Sequence, residues 1–210
     1  MADMRAFSDG LPRRADGAAR PGAGAGAVGD PVARAGVRTA VLVEGPSDLA
    51  AVEALAVLRG RDLTAEGVCV VSMGGAMNIG HYAARLGPPG LGLRLVGLCD
   101  EREQGYFERG LERAGAPGRD IFVCAADLEE ELIRALGAEK VEDIVRREGD
   151  LRAWQTFVRQ PAQLGRSPER QLRRFLGTKK GRKIRYGHLL VEALAPDRVP
   201  APLEGLLAGV

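Results

Sequence analysis

Two acidic residues close short apolar runs in this chain. Glu44 follows Thr39-Ala-Val-Leu-Val43, and Asp100 follows Leu93-Arg-Leu-Val-Gly-Leu-Cys99. Such runs read as strands covered on both faces. In an open parallel sheet, ligands bind at the carboxyl ends of the strands, where loops and helix N-termini converge. Two carboxylates brought to that edge repel each other unless a cation lies between them. Their oxygen donors suit Mg2+ or Mn2+ and not soft metals. A divalent ion held there polarises a phosphoryl oxygen and lowers the pKa of an attacking water, and a pair of ions stabilises both oxygens of an in-line displacement. A lone glutamate at a strand end is the ordinary partner of a helix N-terminus; two strands ending in acid on one edge favour the metal site. Glu129, Glu130 and Glu131, from spacing alone, read as the solvated first turn of a helix.

A second signal is basic. Arg166, Arg170, Arg173, Arg174, Lys179, Lys180, Arg182, Lys183 and Arg185 crowd one section, opposed only by Glu169. A solvated face normally interleaves acids with bases. This section instead has the charge of a phosphate-backbone footprint, with affinity expected to fall steeply with salt. Aromatic residues for base stacking are nearly absent from it, so the pattern does not suggest base specificity.

Positioning these groups requires alternating strands and helices. After the first strand, Glu44-Gly45-Pro46-Ser47-Asp48 turns into a helix running to about Arg59, with Leu49, Val52, Leu55 and Leu58 at helical spacing. Val68–Ser72 is the second strand, followed by Met73-Gly74-Gly75 and a helix to Leu86. The third strand ends at Asp100, a helix follows from about Tyr106 to Arg113, and Ile121–Cys124 is the fourth strand. Strand and helix in alternation imply βαβ units and a parallel sheet, a Rossmann-like three-layer α/β domain over residues 37–150. Helical patterns occupy 128–136 and 139–148. Residues 151–210 read as a basic, mostly helical extension completing the domain, loop-rich from Arg159 to Arg185 and with a last amphipathic helix at 186–195.

Bulk composition agrees with a globular chain: 210 residues, 45% hydrophobic, 28% charged, and a net charge of +2 that excludes neither nucleic acid nor a small substrate. Residues 1–36, dominated by Ala, Gly and Pro, are expected to be a disordered tail, because they bury too little to offset ordering entropy. The glycines of Gly22-Ala-Gly-Ala-Gly-Ala lack the Lys-Ser/Thr of a phosphate loop. Cys69, Cys99 and Cys124 lie singly in strand-like runs without zinc-type spacing, as suits reduced thiols in a cytoplasmic protein. No apolar stretch reaches the roughly 20 residues that span a bilayer, and no signal peptide is evident.

Val41-Leu-Val-Glu-Gly-Pro-Ser-Asp48 resembles the opening motif of TOPRIM domains, and its ExGxSD form with a helix directly after looks most like the OLD family. Met73-Gly-Gly-Ala-Met-Asn-Ile79 is similar to that family's second-strand turn, Asp100 to its third-strand acid, and Asp127-Leu-Glu-Glu-Glu-Leu132 to its later acidic helix. Gly181-Arg-Lys-Ile-Arg-Tyr186 resembles its late lysine motif. The resemblance spans about 38–195. It implies a TOPRIM fold with a central, mostly parallel sheet flanked by helices, and a two-metal nuclease centre acting on DNA. Glu44, Asp48, Asp100 and Glu129 would be metal ligands or general-base partners for Mg2+ or Mn2+, and Lys183 would stabilise charge developing on the phosphate. On the charge of the basic section, independently of the resemblance, Arg173, Arg174, Lys179, Lys180, Arg182, Lys183 and Arg185 are the expected nucleic-acid contacts.

The chain departs from the family pattern in two places. The usual Asp-x-Asp after the third strand is here Asp100-Glu101-Arg102-Glu103, so Glu101 or Glu103 must substitute if a second metal is held. OLD proteins also carry an N-terminal ATPase, so any ATP-driven step would need a separate partner chain. Two other functions compete with the nuclease. A catalytically degenerate TOPRIM module would bind nucleic acid, or a partner ATPase, without cleavage. A receiver-like phosphoacceptor fits less well, because the first strand offers Glu44 and not adjacent acids. The sequence is compatible with a homo-oligomer.

Overall fold

The protein is described by a computed structural model over residues 36–116, 120–179 and 181–210. The tail expected at 1–36, apart from Gly36, and the expected contact residue Lys180 lie outside the described residues.

Four strands, β1 (Thr39–Val43), β2 (Val68–Ser72), β3 (Arg94–Asp100) and β4 (Ile121–Cys124), form one sheet in the order β2-β1-β3-β4. Every pairing is parallel, with Val43 opposite Ser72 on one side and Leu98 on the other. β1 is therefore an interior strand. All five of its residues are buried, which accounts for its uninterrupted apolar run. Alternation divides it between two cores: Ala40 and Leu42 face one layer, Val41 and Val43 the other.

The first core is covered by α2 (Ile79–Leu86) and α3 (Gln104–Arg113). Close packing there depends on Gly110, where an added Cβ would lie 2.9 Å from Ile79 side-chain carbons. The second core lies under α1 (Pro46–Leu58), α4 (Leu128–Leu136), α5 (Ala138–Arg147), α6 (Leu151–Val158), α7 (Pro168–Leu176), α8 (Arg182–Glu192) and α9 (Ala201–Ala208). Its buried residues run from Val41 to Leu207, and they include a cluster of Trp154, Phe157 and Phe175 with ring centroids 5.3–6.1 Å apart. Among the described residues, no helix is long and apolar enough to cross a membrane.

The strands fall where the apolar runs place them, but the section expected to be loop-rich does not. It holds all of α7. Pro168 occupies the first turn of α7, the Ser167 side chain accepts from Arg170 N, and Leu172, Phe175 and Leu176 supply a buried stripe at helical spacing. The helix expected at 186–195 is α8, which begins four residues earlier, after Gly181.

Candidate metal centre

The sheet order places a topological switch between β1 and β3, since α1 leaves on one face while α2 and α3 pack on the other. Glu44 and Asp100 stand at the carboxyl ends of these two neighbouring strands. Glu103 joins them: one carboxylate oxygen from each of the three residues lies within 4.8 Å of the others. A turn brings Glu103 back, its N–H donating to the Asp100 carbonyl at 3.0 Å before α3 begins. The acid expected at Asp-x-Asp spacing is thus supplied one residue later. Glu101 is exposed and is not part of the cluster. The Asp100-x-x-Glu103 spacing was present in the chain, but only the turn geometry distinguishes Glu103 from Glu101.

Around this cluster lies an open pocket of about 200 Å³, lined by Glu44, Gly45, Pro46, Ser47, Asp48, Asp100, Glu129, Lys183 and Ile184. It is too small for a bulky organic ligand, for which several hundred cubic ångströms are usual. The N-terminus of α1 opens into it, bringing the positive end of a helix dipole. The second-strand turn does not line the pocket. Gly75, at φ 129°, a conformation that L side chains rarely adopt, instead donates its N–H to the Glu44 carbonyl at 2.9 Å and so fixes the backbone that carries the carboxylate.

The other two expected ligands share the pocket wall but lie outside the three-carboxylate group. Asp48 Oδ2 accepts the Gly45 N–H at 2.8 Å, so this carboxylate also ties the start of α1. Glu129 is 3% exposed and makes an ion pair with Lys183 Nζ at 3.0 Å. The solvated first turn expected of Glu129–Glu131 is corrected on this point. Glu129 and Glu131 are both buried, and Glu131 accepts the Ala125 N–H at 3.0 Å.

Electrostatics mark the site as short of positive charge. Burial, then repulsion from Asp127, Glu44, Asp48 and Glu103, pushes Asp100 up to about 8. Burial raises Glu129 to about 7 although Lys183 opposes the shift. Glu44 and Asp48 are raised by burial as well, Glu44 with further repulsion from Asp48 and Glu103. Burial pulls Lys183 down, but the adjacent Glu129 more than offsets this, and the ammonium is held above its ordinary value. Hard oxygen donors converging with raised proton affinity fit a Mg2+- or Mn2+-type cation, because an ion would replace the protons that repulsion now favours.

The basic section divides in space. Lys183 points into the pocket with Glu129. Arg173 pairs with Asp127 at 2.5 Å and with Glu130 at 3.5 Å. Arg185 pairs with Glu148 at 2.6 Å. Arg182 departs from expectation: it is buried, and its guanidinium is shared among Asp150, Thr178 and the Phe175 carbonyl while stacking 4.1 Å above the Phe175 ring. It is spent on the fold and is not a surface contact. Arg174 and Lys179 remain exposed.

Residues 37–101 match the family model described as the TOPRIM domain of Overcoming lysogenization defect (OLD) protein-like proteins. The C-terminal region of the OLD protein of Xanthomonas campestris pv. campestris is 28% identical, with a TM-score of 0.61, over 82% of this chain and 93% of that one. The corresponding region of the Burkholderia pseudomallei OLD protein is 21% identical, with a TM-score of 0.60, over 82% and 96%, a likeness of fold. No curated protein matches the chain.

Proposed function

We propose that the OLD-like TOPRIM domain carried by residues 37–101 makes this chain a divalent-metal-dependent nuclease that cleaves DNA phosphodiester bonds. The observation carrying this reading is the convergence of Glu44, Asp100 and Glu103 at the switch point between β1 and β3.

Glu44, Asp100 and Glu103 would hold Mg2+ or Mn2+, with Asp48 and Glu129 on the adjoining wall. When bound, such an ion supplies Lewis acidity toward a phosphoryl oxygen and a lowered pKa for an attacking water. Everything else falls to the chain's own groups. Lys183, kept charged by Glu129, meets negative charge building on the phosphate. The first N–H groups of α1 add partial positive charge on the same side. The carboxylates themselves repel a bare phosphate, so the lysine and the helix end must orient the substrate while the acids remain occupied.

The competing reading, a module that binds without cleaving, is motivated by Arg102 in the place of the second acid. Glu103 in the cluster weighs against it. Supercoiled plasmid nicking with Mg2+ or Mn2+ decides between them. The proposal expects nicking that disappears in Glu44→Gln and Asp100→Asn. Undiminished nicking in both variants removes it, and salt-sensitive DNA binding without any cleavage establishes the competing reading.

A further inference from the structure

The segment from Leu151 to Gly181 contains eight Lys and Arg residues against a single acid, Glu169. Among the described residues, two kinds of environment stand out for the arginines of this segment. Arg173 faces the sheet's carboxyl rim and is neutralised by Asp127 and Glu130. Arg152, Arg159, Arg170 and Arg174 are exposed and make no ion pair among the described residues.

Helical periodicity explains the separation. Leu172, Phe175 and Leu176 form the buried stripe of α7, and at about 100° per residue Arg170 and Arg174 fall on the opposite side, one turn apart. In α6, Trp154 and Phe157 are buried, and Arg152 lies opposite them. The shared aromatic cluster thus faces inward from both helices and the unpaired arginines face outward.

α5 provides an internal comparison. Its exposed surface alternates Glu139, Lys140, Asp143, Arg146 and Arg147, and Arg146 pairs with Asp143. That is an ordinary solvated face. α6 and α7 have no such alternation, and Arg170 and Arg174 are like charges at the spacing where they oppose each other. An anionic partner would relieve that opposition.

We propose that the outward face of α6 and α7, centred on Arg170 and Arg174, is a docking track for the phosphate backbone of duplex nucleic acid. It rests on the reading that DNA is the substrate. It also narrows the expected contact surface, which ran from Arg173 to Arg185, by setting aside the arginines of α8, which are spent on Asp150 and Glu148, and it adds Arg170. Arg173 bridges the two regions: its partners Asp127 and Glu130 start α4, which also carries Glu129 at the pocket wall. A strand held on α7 would therefore lie beside the helix that borders the acidic pocket. Phosphate contacts position the duplex without reading its sequence, in keeping with guanidinium groups and few aromatic rings on this face.

The test is fluorescence anisotropy of the full chain with a labelled DNA duplex across a salt series, without added divalent cation, so that the outcome does not depend on cleavage. Arg170→Gln with Arg174→Gln removes two outward charges while leaving the buried stripe intact. Arg146→Gln with Arg147→Gln removes the same charge from the mixed face of α5. The α7 double variant is expected to bind about tenfold more weakly and to reduce the slope of log affinity against log salt by about two. The α5 double variant is expected to keep the wild-type slope. Equal losses in the two variants, or no loss in the α7 variant, overturn the proposal. So does a wild-type chain that binds anionic lipid vesicles but not the duplex. If nicking fails while the α7 effect stands, the nuclease reading falls and the docking track survives.

Discussion

Gly187 of α8 lies against Ser47 of α1 so closely that an added Cβ would sit 2.6 Å from the Ser47 carbonyl oxygen. Lys183 is one helical turn earlier on the same face of α8, so this contact sets how far the lysine reaches toward the acids of the pocket. Gly187→Ala must push α8 off α1. It is expected to cost about 1–3 kcal/mol by overpacking, measured by urea denaturation. Nicking should fall further than the loss of folded protein explains. Wild-type stability and activity in this variant would show that the approach is not limiting.

Metal affinity should discriminate between neighbouring glutamates. Glu103→Gln removes an oxygen donor from the three-carboxylate cluster, whereas Glu101→Gln alters an exposed side chain outside it. Calorimetric titration with Mn2+ is expected to show a loss on the order of tenfold or more for the first, the scale reported even for outer-shell carboxylates, and little change for the second. Equal affinities would remove Glu103 from the site.

The site's proton affinity has a defined sign. Asp100 at about 8 and Glu129 at about 7 are carboxyls raised above their ordinary values, so the folded protein holds protons that the unfolded chain would release. Without metal, that contribution to stability is complete below the ordinary carboxylate range and is lost as pH rises toward these values. The metal-free chain should therefore lose thermal stability from about pH 5 to about pH 8, and the stabilisation on adding Mg2+ should grow over the same interval. Scanning calorimetry with and without Mg2+ checks both. A metal-induced shift independent of pH would contradict the assignment.

Arg182 and Asp150 form a largely buried pair joined by the Tyr186 hydroxyl, 3.1 Å from Asp150. Removing Arg182 strips Asp150 of its guanidinium hydrogen bonds and leaves it the Tyr186 hydroxyl and the more distant Arg185, at a cost of about 2 kcal/mol. Arg182→Leu is expected to lower the urea midpoint strongly while leaving the salt slope of DNA binding unchanged. A variant that stays stable but loses one unit of slope would make Arg182 a phosphate contact after all.

Much of this architecture could be read along the chain because its signals are local. Apolar runs that stop at Glu44 and Asp100 place strand ends, and the parallel-sheet rule brings those ends to one edge. Glu103 was less legible, since choosing it over Glu101 requires the turn closed by its N–H on the Asp100 carbonyl. Arg182 was misleading for the opposite reason. Within a basic run it looks like a surface charge, and only Asp150, 32 positions away, and the Phe175 ring beneath it make it an interior group. In α7 the start signal Ser167-Pro168-Glu169 was present but outweighed by the surrounding glycines and charges.

Lys183 stands 139 positions after Glu44, yet the two share a pocket wall. During synthesis, the acids of β1 and β3 emerge long before their counter-cation does. Any species in which α8 has peeled away keeps the negative cluster and loses the ammonium that pairs with Glu129 at the pocket wall. If the proposed nuclease reading holds, assembly of the site is gated by completion of the fold itself, and a nascent or partly opened chain would be self-silenced toward a polyanion.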